Sequence, residues 1–287
     1  NHSLNKAKEK GIEPVAIVVI NPGNPTGAVL SKENIKMIID FAKNNNLSIL
    51  ADEVYQENIY SKNYPFHSFA KVMEEMNEKS VPLFSFHSVS KGFFGECGHR
   101  GGYMETRNVS EEVYEQIIKL QSIGLCANTA GQIVTYAMVN PPKPNEESYD
   151  LYQREKKFIL NELKEKAEIL GSELSKIPGM YIKIPTGAMY AFVKFDLPPE
   201  PNINPEKMSE EERIKYESTR DNEYCLKLLE ETGICVVPGS GFGQKPGTFH
   251  FRTTFLPPKD EIKILVEKIK KFYINYTSNY HKEKIRK

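Results

Sequence analysis

The stretch that most constrains this chain is Val15-Ala-Ile-Val-Val-Ile20, a continuous and mostly β-branched run that breaks at Asn21-Pro-Gly-Asn-Pro-Thr-Gly27. Apolar on every position and bounded by turn residues, it has the composition of a fully buried strand entering a tight loop. The next segment carries a helix signal. Ser31 is placed as N-cap with Glu33 in the first turn, and Ile35, Ile38, Ile39 and Ala42 recur at helical spacing until Asn44-Asn-Asn46. Leu47–Ala51 then reads as a second short strand ending at Asp52. Strand, helix and strand joined by short connections make a βαβ unit, so the strands are parallel and the crossover right-handed. A third strand, Pro82–Phe86, runs into His87-Ser-Val-Ser-Lys91 and a glycine-rich stretch up to Tyr103. The fold class expected is α/β, with a mostly parallel sheet.

Helical patterns follow at Ser110–Gln121 and Thr129–Val139, and then Pro141, Pro142 and Pro144 mark a boundary. We therefore expect a first domain over 1–148 and a smaller one over 149–287, consistent with a 287-residue chain being long for one domain. The second would open on a connecting helix over 149–176 and continue as α+β, with strands at Met180–Ile184, Met189–Phe195, Ile234–Val237 and Phe249–Thr254. A closing helix, Lys259–Tyr273, lines up Ile262, Leu265, Val266, Ile269 and Phe272. Asp196–Ser218, rich in Pro and Glu, reads as a partly mobile surface insertion, and His281–Lys287 as a solvated tail.

Charge excludes several function classes. Lys plus Arg and Asp plus Glu both number 38, so no net field favours nucleic acid or an anionic membrane. No basic stripe with interleaved aromatics appears. The four cysteines, 97, 126, 225 and 235, form no CxxC pair, which points to a reducing, cytoplasmic setting. The six histidines have no zinc-ligand spacing, and no metal site is expected. Gly239-Ser-Gly-Phe-Gly243-Gln-Lys245 fails both the dinucleotide and the Walker patterns, since Gln stands at 244 and Lys does not directly follow Gly.

In open α/β sheets ligands sit beyond the carboxyl ends of the strands. There this chain places Asn24, then Asp52 with Tyr55, then Ser88, Ser90 and Lys91, with Arg100 among glycines shortly after. Each has a plainer reading alone: Lys91 as a solvated lysine, Asp52 as a helix cap, Asn24 as a turn residue, Arg100 as an ion-pair partner. Together, an amine, a carboxylate, a phenol, hydroxyls and a guanidinium are the groups that pyridoxal phosphate needs. Downstream, Arg252 lies in the β-patterned Phe249–Thr254, where it reads either as a clamp on a substrate carboxylate or as a strand salt-bridge partner.

At these residues the chain resembles a family. Asn21-Pro-Gly-Asn-Pro-Thr-Gly27, Asp52-Glu-Val-Tyr55, Ser88-Val-Ser-Lys91-Gly and Arg252 look like the ordered motifs of class I/II aminotransferases, the fold-type I pyridoxal-phosphate enzymes. Two longer strings, Phe86–Tyr103 and Glu231–Gly243, are similar to the branch that interconverts alanine plus 2-oxoglutarate with pyruvate plus glutamate. The resemblance implies that Lys91 is the Schiff-base lysine and proton shuttle and that Asp52 pairs with the pyridine N–H. It further implies that Tyr55 and Asn24 bond the ring oxygen, Asn24 also touching substrate, and that Ser88, Ser90 and Arg100 hold the phosphate. Arg252 would clamp the substrate α-carboxylate. Ping-pong amino transfer between small amino acids and 2-oxo acids, in a homodimer, is the implied activity. The family's N-terminal arm, phosphate loop, stacking aromatic and partner-subunit Tyr have no match here, which leads us to expect the carboxyl-terminal part of a longer enzyme. Glyoxylate, aromatic or kynurenine transamination, or a catalytically silent folded module, remain alternatives at this point.

Overall fold

The computed structural model describes residues 1–200 and 203–284. They form two compact units: one comprises residues 1–24, 28–160 and 186–188, the other 25–27, 161–185, 189–200 and 203–284. The division falls within a helix that begins at Tyr149. No helix among the described residues is long and apolar enough to cross a membrane.

The first unit opens on α1 (His2–Glu9), a short helix that precedes the first patterned strand, and continues with β1 (Ala16–Ile20), α2 (Lys32–Asn44), β2 (Ser48–Asp52), α3 (Phe69–Glu75), β3 (Leu83–Ser88) and β4 (Gly102–Arg107). The sheet order is β1-β2-β3-β4. The first three strands are parallel, as the βαβ pattern requires, and β4 closes the sheet antiparallel to β3. Ser31 caps α2 by accepting from the Asn34 amide at 3.2 Å, and Ser68 caps α3 in the same way. The apolar faces of these two helices bury Ile35, Ile39, Ala42, Phe69, Val72 and Met73 against Ile49, Ala51 and Leu83 of the sheet.

Among the described residues, that face of the sheet is the better covered one. On the other, Val18 is 67% exposed and Ile20 37%, so β1 is not the fully buried strand that its composition suggests. The period-2 pleat explains this: Ile17 and Val19 pack toward the helices, and their neighbours point the other way from an edge strand. α4 (Glu111–Ser122) and α5 (Thr129–Val139) follow, and α6 (Tyr149–Leu174) carries the chain out of this unit. The tripeptide Thr186-Gly-Ala188 returns to it: the Tyr60 amide donates to the Thr186 carbonyl at 2.9 Å, the Ala188 amide donates to the Asn58 carbonyl at 3.0 Å, and the Tyr60 hydroxyl donates to the Ala188 carbonyl.

The second unit is an antiparallel sheet, β5 (Met180–Tyr181), β6 (Tyr190–Phe195), β7 (Val237–Pro238) and β8 (Phe249–Thr254), in the order β5-β6-β8-β7. Its strands pack with α6, α7 (Glu210–Thr232) and α8 (Lys259–Lys284) around Leu170, Leu174, Phe195, Tyr224, Phe251, Phe255 and Ile269. Three expectations are corrected here. The segment 210–218 is no insertion but the first turns of α7, which begins on a complete capping box between Ser209 and Glu212. Its Glu217, Arg220 and Asp221 are buried. The strand expected at Ile234–Val237 is instead the two residues Val237–Pro238, paired with Arg252 and Phe251, and residues 234–236 stay outside the ladder. α8 runs past Tyr273, because Tyr276 still packs against Tyr224 with ring centroids 5.3 Å apart. The tail expected at 281–287 lies outside the residues whose side chains are described.

Candidate active site

The alternation along β2 and β3 sets which side chains share a face at the ends of these strands. Along β2, Ile49 and Ala51 point into the helix-covered core, so Leu50 and Asp52 point to the opposite face. Asp52 pairs with Phe86 in the parallel register, and Ser88 lies two residues further along β3 on the same face. Asp52 and Ser88 therefore end neighbouring strands at one carboxyl edge and on one side. The Val54 amide donates to the Asp52 carboxylate at 3.2 Å, which holds the side chain over the turn that begins there. Tyr55 in that turn is buried. Asn24 belongs to the loop after β1, which Asn21 closes by accepting from the Leu30 amide at 3.0 Å.

The loop after β3 is folded back on itself. The Val89 amide donates to the Gly101 carbonyl at 3.1 Å, the Glu96 amide to the Val89 carbonyl at 2.9 Å, and the Ser90 amide to Ser88 Oγ at 3.3 Å. Lys91 stands exposed at its start. Arg100 adopts a left-handed backbone, φ 52° and ψ 46°, and its Nη1 donates to the Cys97 carbonyl at 2.9 Å and reaches Ser90 Oγ at 3.5 Å. One guanidinium and the hydroxyls of Ser88 and Ser90 are thus gathered by a single loop.

Several neighbours of this edge were not singled out by sequence reasoning. Glu53, beside Asp52 but pointing into the core, accepts from Ser85 Oγ at 2.6 Å and from the Phe69 amide at the start of α3 at 2.9 Å. Burial pushes its carboxyl above the usual range, partly offset by those two bonds. His87, on the core side of β3, stacks on Tyr103 of β4 with centroids 5.6 Å apart. Burial lowers the imidazole and raises the phenol, so both are neutral near pH 7. Lys91, Glu57, His87, Phe93, Tyr103 and Lys156 line a cavity of about 350 Å³, and Lys156 pairs with Glu57 at 2.7 Å. Period-2 alternation along β3 was the available signal for His87; Tyr103 and Lys156 are brought in by tertiary contacts with no local pattern.

Arg252 lies in the second unit, in the middle of β8, opposite Phe192 of β6. Its guanidinium carbon is 4.7 Å from the Tyr190 ring centroid and 5.0 Å from that of Phe242. Planar guanidinium on aromatic faces leaves its edges to hydrogen-bond in a fixed plane.

The donor set fits pyridoxal phosphate on chemical grounds. A carboxylate on the sheet edge can hold a protonated ring nitrogen, a lysine on the next strand's loop can bond an aldehyde, and two hydroxyls with a guanidinium can bind a phosphate. The glycines beside them have a structural reason: a Cβ on Gly101 would come within 2.3 Å of the Gly131 carbonyl oxygen, so the loop carrying Arg100 is laid directly on the backbone of α5.

Comparison with known proteins agrees with this chemistry. In solved structures the same fold occurs in an alanine aminotransferase from Pyrococcus furiosus, with a TM-score of 0.73 and 29% identity over 94% of this chain and 60% of that one. An aminotransferase from Escherichia coli matches at 0.71 and 26%, covering 92% and 58%. The architecture is that of the fold-type I aminotransferases. The family model for aminotransferase class I and II matches residues 1–269, and the chain belongs to that family. It is 48% identical over 286 residues to the probable mitochondrial alanine aminotransferase of Dictyostelium discoideum, 97% of this chain and 51% of that protein. It is 44% identical over 283 residues to human alanine aminotransferase 1, covering 98% and 55%. The chain spans about half the length of these curated relatives.

Proposed function

We propose that the chain carries the lysine-bearing part of an aminotransferase active site that moves the amino group between L-alanine and 2-oxoglutarate, giving pyruvate and L-glutamate. The observation that carries this reading is the placement of Asp52 and Ser88 on one face of adjacent parallel strands, with the Lys91 loop following directly. Pyridoxal phosphate, when bound, supplies an electron sink for the bond broken at the amino acid's α-carbon. The remaining roles belong to this chain's own side chains. Asp52 holds the ring nitrogen protonated, Tyr55 and Asn24 bond the ring oxygen, and Ser88, Ser90 and Arg100 bind the phosphate. Lys91 would hold the aldehyde carbon and, when released from it by the substrate's amine, its free amine would move the proton at the substrate's α-carbon. Arg252 grips the α-carboxylate, and Asn24 also lies against the substrate.

On this reading residues 1–148 contribute to the cofactor-binding domain and 149–287 form the smaller domain, with 149–176 connecting them. We place the enzyme in the cytoplasm as a homodimer. Support for a reducing compartment comes from its four unpaired cysteines, three of them exposed, although the name of the Dictyostelium relative places that protein in mitochondria. The choice of alanine rests on the names of the relatives. The test is pyruvate formation from L-alanine and 2-oxoglutarate with added pyridoxal phosphate, compared with glyoxylate and with aromatic and kynurenine donors. Faster turnover of any of those rivals would reassign the substrate, and equal pyruvate formation by Lys91→Ala would remove the transferase role.

A further inference from the structure

Asp221 is a fully buried carboxylate in the interior of α7. Such a group is costly unless its oxygens are satisfied. Here Oδ2 accepts from the Ser240 amide at 2.8 Å and from Gln244 Nε2 at 2.9 Å, while Oδ1 accepts from Ser240 Oγ at 3.0 Å. All three donors come from one short turn, and two of its residues, Ser240 and Gln244, are tied to the same carboxylate. Phe242 stands between those two anchors. Its ring faces the Arg252 guanidinium at 5.0 Å and meets Phe192 edge-on at 5.8 Å.

A second route leads from the same carboxylate to the same strand. Gln244 Oε1, at the far end of the amide that Asp221 holds, accepts from His250 Nδ1 at 3.0 Å. His250 precedes Arg252 by two positions on β8, so the two share a face of the sheet, and His250 stacks on Phe192 at 4.6 Å. The turn also lies close against β8: a Cβ on Gly239 would meet Gln244 Oε1 at 2.3 Å and the His250 carbonyl oxygen at 2.8 Å. No other residue type fits there without a shift of backbone.

We propose that Asp221 is the positioning residue of the carboxylate clamp: by pinning the 240–244 turn it fixes Phe242 and, through it, the plane in which Arg252 presents its N–H edges. This rests on the reading of Arg252 as that clamp. A guanidinium held against both the Tyr190 and Phe242 rings has fewer orientations to offer a bidentate carboxylate than one free to turn about its side chain. Asp221 touches no substrate itself and acts only through the turn.

The test begins with the full chain carrying labelled arginine side chains. We expect the Arg252 Nε–H and Cδ resonances to be displaced by the two ring faces, and Asp221→Asn to move them toward unshifted positions while amide exchange at 240–244 speeds up by about tenfold or more. β6 and β8 amides should hold. Should Asp221→Asn fail to fold, Ser240→Ala, which removes one of the three bonds, gives the same changes in smaller measure. Phe242→Leu shifts Arg252 with the turn still slow to exchange. Arg252 resonances and turn exchange unchanged in Asp221→Asn, or unchanged in Ser240→Ala if that variant must stand in, would overturn the proposal. Kinetics of the holoenzyme then separate the inference from its basis. Arg252→Gln and Asp221→Asn should both raise KM for the amino acid and the 2-oxo acid, with kcat in Asp221→Asn held within about twofold. An Arg252→Gln enzyme with unchanged KM ends the clamp reading and the inference with it; a raised KM there with none in Asp221→Asn ends the inference alone.

Discussion

Gly101 and Gly131 meet backbone to backbone: a Cβ on the first would stand 2.3 Å from the Gly131 carbonyl oxygen, and a Cβ on the second 2.8 Å from the carbonyl oxygen of Arg100. This contact seats the end of the lysine loop on α5, and the Asn128 side chain reinforces it by donating to the His99 carbonyl at 2.6 Å. Since the obstructing atoms are main chain, no rotamer change relieves an added methyl group.

Gly131→Ala should therefore destabilise the first unit by roughly 1–3 kcal/mol, the usual range for overpacking a tight contact. A chemical-denaturation midpoint measures it. Gly124→Ala is the control, because a Cβ there has only the Gln121 carbonyl oxygen at 3.5 Å, an ordinary contact. Equal midpoints for Gly131→Ala and the wild-type chain would show that α5 shifts freely and does not seat the loop.

Asp52→Asn keeps the shape of the side chain and the Val54 amide bond but removes the charge that would hold a ring nitrogen protonated. Turnover should fall by about a hundredfold or more, the scale seen when one preorganised electrostatic partner is lost. Covalent attachment of pyridoxal phosphate to the chain should persist. Steady-state alanine turnover alongside absorbance of the bound cofactor reports both, and near-normal turnover in Asp52→Asn would remove the electrostatic role assigned to that carboxylate.

Acid stability offers a prediction independent of the active site. Lys43 donates to Glu78 at 2.7 Å, and the Ser80 hydroxyl and amide add to it, which holds the Glu78 carboxyl at about 2 instead of the ordinary 4.5. A carboxylate whose folded pKa is depressed stabilises the fold fully above its unfolded value and loses that contribution as pH falls through the folded one. The contribution of Glu78 should thus be intact above about 4.5 and fade toward about 2. Glu78→Gln should lower the denaturation midpoint at neutral pH and flatten its decline across that acid window. Parallel pH dependences for Glu78→Gln and wild type would contradict the assignment.

The parts of the fold legible in the sequence were those written in local pattern. The β1-α2-β2 unit was carried by a β-branched run, an N-cap serine and a helical apolar stripe, and the structure reproduces it nearly residue for residue. Strand alternation plus the parallel rule was enough to place Asp52 and Ser88 at one sheet edge. What failed was long-range or masked by composition. The run of glutamates at the start of α7 disguised a helix, although Ser209 and Glu212 stand at the spacing of a capping box. β4 opens on a glycine, carries two charges and is a strand because β3 offers it a free edge. The exposed face of β1 was illegible for a deeper reason: composition tells how apolar a strand is, not how many of its faces the rest of the chain covers. Asp221 acts on residues 19 and 23 positions away, a spacing that no helix or strand period would flag.

The most direct test of the central claim is to mix the chain with pyridoxal phosphate, reduce with borohydride, digest, and map the modified peptide by mass spectrometry. The account predicts modification at Lys91 alone, lost in Lys91→Ala. Modification scattered over surface lysines, or undiminished in Lys91→Ala, would contradict it.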